Sequence, residues 1–106
     1  MEDFKRILQS VGIETFVKYF NVFKENQNES SNELIYEAFK ANNEKWTQKV
    51  YCSKASKGKR IFRLELEIDA LDYIVNQATH VDDHTRKRAA ELLKEEMRLK
   101  GSFLEK

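Results

Sequence analysis

Between Lys45 and Arg63 the chain carries seven lysine or arginine side chains and no carboxylate: Lys45, Lys49, Lys54, Lys57, Lys59, Arg60 and Arg63. From Glu65 to Asp72 the sign reverses, with four acids and no base. Cations interleaved with Ser53 and Ser56 suit phosphate, because ammonium and guanidinium groups neutralise it and hydroxyls add hydrogen bonds. Lys54, Lys57, Lys59, Arg60 and Arg63 are therefore the candidate phosphate contacts, with Lys49 assisting. Arg60 and Lys57 sit centrally in the run, and arginine bonds guanine bidentately, so these two are the candidate readers of base edges.

Other chemistries fit the residues less well. The stretch SKGKR has the look of a nucleotide-phosphate loop, but that loop needs a glycine five residues before Gly58, where Ser53 stands. It also needs a hydroxyl after Lys59, where Arg60 stands. His80 and His84 in THVDDH are four apart, a metal-binding spacing on one continuous helix. Asp82 and Asp83 read instead as the start of a helix, which would leave His80 outside it. Cys52 has cations around it that would lower a thiol pKa, yet a lone cysteine is usually a small inert apolar group. No Ser–His–Asp set or isolated carboxylate pair stands out. We expect no enzyme, no metal and no cofactor.

The wider composition says what must carry the cationic run. At 106 residues, 41% hydrophobic and 35% charged, the chain reads as one globular domain over 1–106 with a single modest core. A net charge of +1 excludes a uniformly basic nucleic-acid coat, so electrostatic binding must be regional. The start, MEDFKRILQSVG, lacks the basic flank and apolar run of a secretion signal, and no later stretch is long enough to span a bilayer. With one cysteine and so no internal disulfide, the expected setting is cytoplasmic, away from membranes. The Asn28-Glu29-Ser30 glycosylation pattern carries no meaning there. No proline and only three glycines make helices the default over a β-sandwich.

Apolar spacing places the elements. Phe4, Ile7, Leu8 and Val11 share one helical face closed by Gly12. In 13–23 the apolar residues Ile13, Phe16, Val17, Tyr19, Phe20, Val22 and Phe23 lie on nearly every side, which predicts a central or partner-covered helix. The polar stretch 25–32 is a loop, and Ser30 with Glu33 forms a capping box for a helix over 33–41. Asn42 and Asn43 break it, and a short helix follows over 44–51. Phe62, Leu64, Leu66 and Ile68 alternate with charges as a strand would, which allows a hairpin pairing 46–52 with 60–68. Ile61, Leu64, Ile68, Leu71, Val75 and Ala78 keep helical spacing for longer, so we favour a helix from Ser53 onward without a break. Asp82 or Asp83 caps a last helix through Ala89, Leu92, Leu93 and Met97, ended by Gly101, with Phe103 and Leu104 folding back. Glu91–Lys94 and Glu96–Lys100 read as surface pairs on it. The fold expected is all-α, five or six short helices, with the α+β hairpin as alternative.

The order of helices over 33–41, 44–51 and from Ser53 resembles a tri-helical helix-turn-helix across roughly 33–66, whose third helix enters the major groove by its N-terminal turns. Ser53, Ser56, Lys57, Arg60 and Arg63 would face outward while Ala55, Ile61 and Phe62 seat the helix. The resemblance implies a small regulatory or accessory DNA- or RNA-binding module using the stretch 45–63. The alternative is an interaction adaptor or homodimer, motivated by the apolar 13–23 segment, or an acidic protein partner for the cations. Trp46 and Tyr51 read as core or interface residues, not base-stacking platforms.

Overall fold

Phe4, Ile7, Leu8 and Val11 do form one face of a helix, α1 (Phe4–Val11), with Ile7, Leu8 and Val11 buried. The computed structural model describes residues 4–104, with side chains described from Phe4 to Lys100. Gly12 takes a left-handed φ of 94° and turns the chain directly into α2 (Ile13–Lys18). The expected single apolar helix over 13–23 is two helices. Tyr19, at φ −108° and ψ 21°, ends α2 and starts α3 (Phe20–Glu25). On both sides of this break the large apolar side chains face the core: Phe16, Val17, Tyr19, Phe20 and Phe23 are at most 5% exposed.

After the loop comes α4 (Glu33–Ala41). The expected Ser30–Glu33 box does not form; the Glu33 N–H donates instead to Ser31 Oγ at 3.1 Å. Asn43 stops α4 in the left-handed region at φ 63°. Its N–H bonds to Lys40 O and the Glu44 N–H to Phe39 O, the two hydrogen bonds of a Schellman cap. Residues 44–47 then run as a short strap, held where Tyr51 Oη donates to Glu44 O at 2.7 Å.

The largest correction lies next. Residues 48–63 are one helix, α5 (Gln48–Arg63), begun by Thr47, whose Oγ1 accepts from the Val50 N–H. The predicted helices over 44–51 and from Ser53 are therefore a single element, and the three-helix order that resembled a helix-turn-helix is not formed. Nor does α5 run on through residue 78. The Leu66 N–H bonds to Ile61 O and the Glu65 N–H to Phe62 O, a second Schellman cap with Glu65 at φ 56° in the position glycine usually takes. The next helix, α6 (Glu67–Asn76), holds Glu67, Asp69 and Asp72. The reversal of charge thus falls at a boundary between two helices.

The last helix, α7 (Asp83–Leu104), opens as expected: Asp82 Oδ1 accepts from the Thr85 N–H at 2.7 Å. Its backbone continues through Gly101, which does not end it; the packing expected of Phe103 and Leu104 lies outside the described side chains. The predicted surface pairs exchange partners. Glu96 is buried and meets Lys24 at 2.6 Å, Glu91 meets Arg88 at 3.3 Å, and Lys100 meets Glu67 at 3.5 Å. Arg86 donates to the Ile74, Val75 and Ala78 carbonyls, each at 2.9 Å, and so supplies the positive charge that the end of α6 lacks.

The described residues thus form seven helices and no strand, so the 46–52/60–68 hairpin is absent among them. The most extensive pairings are α1 along α5 and α6 along α7. Phe16, Phe20, Phe23, Phe39 and Phe62 form the aromatic centre, with Phe20 and Phe62 rings 4.9 Å apart edge to face. No helix among the described residues is long and apolar enough to cross a membrane.

Candidate nucleic-acid interface

Once 48–63 is a single helix, each cation has a place on its circumference. Lys49, Ser53, Ser56, Arg60 and Arg63 recur at intervals of three or four and fall within an arc of about 80°; all five are exposed. Lys57 lies at one edge of this stripe, half-buried. Ala55, Gly58, Ile61 and Phe62 occupy the opposite side and are buried. Gly58 is there for closeness: a Cβ would stand 2.6 Å from the Phe23 ring, so only glycine lets α5 lie against α3. That packing is what the glycine of SKGKR does.

Three of the six candidate phosphate contacts hold the fold together. Lys54 Nζ donates to Val11 O at 2.5 Å, satisfying the end of α1, and lies 4.9 Å from the centre of the Trp46 ring. Burial pulls the Lys54 ammonium below the usual lysine pKa, with Glu44 acting in the opposite sense. Lys59 is 4% exposed, and its Nζ donates to Glu29 O at 2.8 Å. Its pKa too is lowered, by burial first and then by Arg63. Arg63 donates from Nε to Gln27 O at 2.6 Å and from Nη2 to Glu29 O at 3.3 Å. Lys59 and Arg63 together therefore clasp the 25–32 loop by its carbonyls, and Asn32 Nδ2 adds a 3.3 Å bond to Ser56 Oγ.

The other three candidates remain at the surface. Lys49 and Arg60 are exposed, and Lys57 lines a shallow groove with Ser56, Arg60, Arg63 and Leu64. Lys45, also exposed, precedes the helix. Among the described residues no ion pair involves Lys45, Lys49 or Lys57. Lys49 stands in the first turn of α5, where the helix dipole disfavours a cation by roughly 0.3–1 kcal/mol, and no acid occupies that turn. Its position therefore has no stabilising role in the helix.

The remaining chemistry-bearing residues are scattered. His80 lies outside α7 in a left-handed turn at φ 59°, and His84 is on the exposed first turn, so the two do not share one helical face. Cys52 is exposed on α5. Trp46 and Tyr51 belong to an aromatic cluster: Trp46 meets Phe39 at 5.1 Å and Tyr51 at 5.9 Å. Sequence reasoning missed Glu44, which accepts from Lys18 at 3.0 Å and from Tyr19 Oη at 2.6 Å. The Tyr19 bond, more than Lys18, holds the Glu44 carboxyl below the usual range. Burial, and then Glu44, pushes the Tyr19 phenol up. No local pattern announces this knot, because its partners are about 25 residues apart in the chain. No family model, no curated protein and no solved structure matches this chain.

Proposed function

We propose that this chain is a non-catalytic nucleic-acid-binding module of regulatory or accessory role, working in the cytoplasm through the outer face of α5. The observation that carries this reading is the one-signed stripe: Lys49 and Arg60, with Ser53 and Ser56 between them and Lys57 at the edge, on a helix with no carboxylate. The contact set is smaller than the composition of 45–63 suggests, because Lys54, Lys59 and Arg63 already hold carbonyls. Lys45, Lys49 and Lys57 remain to meet phosphate, with Arg60 exposed beside them. The apolar segment behind the adaptor or homodimer reading packs largely inward: Phe16, Val17, Tyr19, Phe20 and Phe23 are buried, and Ile13 and Val22 are half-buried against the core.

Three phosphate contacts, from Lys45, Lys49 and Lys57, predict a definite salt response. The logarithm of duplex-DNA affinity should fall against the logarithm of salt with a slope of about 3. Fluorescence anisotropy across a salt series reads that slope. Absence of binding even at low salt would reject the reading and leave an acidic protein partner as the occupant of the stripe.

A further inference from the structure

We infer that the nucleic acid is double-stranded B-form DNA and that α5 meets its major groove by the middle of the helix, not by its N-terminal turns. The inference rests on the nucleic-acid reading above and deepens it.

Single strands are held by aromatic platforms on which bases stack. Among the described residues no phenylalanine, tyrosine or tryptophan side chain is exposed. Trp46 is half-buried against Phe39, Tyr36 lies stacked 5.8 Å from Tyr51, and Tyr73 meets Phe4 edge to face at 6.1 Å. The stripe instead carries small hydroxyls between cations. That pattern fits phosphate rows at the ends and base edges in the middle.

The dimensions of α5 fit the duplex. Lys49 and Arg60 are eleven residues apart, roughly 16 Å along the axis. A helix is about 10–12 Å across with its side chains, and the B-form major groove, about 12 Å wide, admits one. The A-form major groove is too deep and narrow for side chains to read, which sets duplex RNA aside. Ser53 and Ser56 put short side chains at the centre of the stripe, so the backbone of α5 can approach base edges there on the flank away from the 25–32 loop, which Asn32 holds beside Ser56. Ser56 Oγ accepts from Asn32 Nδ2, which leaves its hydroxyl proton to donate to a base. Arg60, one turn further on, has the reach for guanine O6 and N7. The acids of α6 begin only beyond the Glu65 turn.

The test uses the full chain and three probes of one sequence at the same low salt: a DNA duplex, one of its strands and the corresponding RNA duplex. The DNA duplex should bind tightest, by on the order of tenfold over the other two. Equal or tighter binding of the strand or the RNA duplex overturns the inference while leaving the nucleic-acid reading intact. Failure to bind any of the three overturns both. Dimethyl sulfate footprinting of the DNA complex supplies the groove: guanine N7 should be protected, and protection confined to adenine N3 would place the protein in the minor groove and overturn the inference. Ser53→Tyr, at an exposed position, should weaken duplex binding about tenfold by holding α5 off the base edges. Undiminished duplex affinity in a variant that melts like the parent would contradict a seat at the middle of the helix.

Discussion

Lys54 and Lys57 stand three residues apart on the same helix, yet one is part of the fold and the other is part of the surface. Lys54 points back along α1 to the Val11 carbonyl and covers Trp46. Lys57 lines an open groove with Arg60 and has no ion-pair partner among the described residues. Lys59 repeats the contrast two residues on, buried against Glu29 O. A cation's meaning in this chain is therefore set by its position on the circumference of α5, not by its membership of a basic run. A second helix sharpens the point. Along α7 the charges alternate in sign and pair locally, Arg88 with Glu91 and Arg98 with Glu95, as expected of a solvated face. On α5 no acid is available to do this.

The contrast between the two flanks of α5 presupposes that its inner side is fixed. Phe16→Ala or Phe20→Ala should cost about 3–5 kcal/mol, much of the stability of a domain this size, read as a fall in Tm or in the denaturation midpoint. If both variants melt like the parent, the aromatic centre is not a core, and the inner and outer flanks have been misassigned.

Next in size are the clasps. Lys59→Ala should destabilise by about 1–3 kcal/mol, because Glu29 O loses a buried donor and the lysine stem loses its packing. Lys57→Ala, two residues away, should move stability by no more than about 0.5 kcal/mol. Similar denaturation curves for the two would erase the distinction between flanks.

Acid should separate the flanks in another way, since the inner one has a counter-charge in Glu44. The folded pKa of Glu44 is depressed, so its contribution is fully present above the unfolded value near 4.5 and is lost as pH falls through the folded value. Glu44→Gln should therefore cost about 1 kcal/mol at neutral pH and less below pH 4, so that its Tm converges on the parent's in acid. A constant gap across that window would mean that Glu44 acts by shape and not by charge.

Much of this was legible in the sequence, and the failures share physical causes. Composition and periodicity gave the all-helical class, the α1 face, the Asn42–Asn43 stop and the Asp82 cap, all of which are local. The stop at residues 64–66 was hidden because its left-handed residue is Glu65, and nothing about a glutamate announces a turn. Tyr19 likewise carries no break signal, so two short helices read as one apolar one. The exposed and buried sides of α5 follow from helical spacing alone. The engagement of Lys54 and Lys59 does not, because their acceptors are backbone carbonyls 43 and 30 residues away in the chain. A helical wheel over 48–63 sets Lys54 well outside the stripe but puts Lys57 and Lys59 equally far from its centre on opposite flanks, so only the loop that Lys59 meets tells those two apart.

The central claim is that the outer stripe, and not the basic run as a whole, meets phosphate. Lys49→Gln and Lys57→Gln combined in one chain test it most directly, by duplex-DNA affinity across a salt series beside thermal melting. The stripe variant should melt within about 0.5 kcal/mol of the parent, while its salt slope falls by about 0.9 for each contact removed. A folded variant with the parent's affinity and slope would contradict the account and show that α5 carries its cations to water alone.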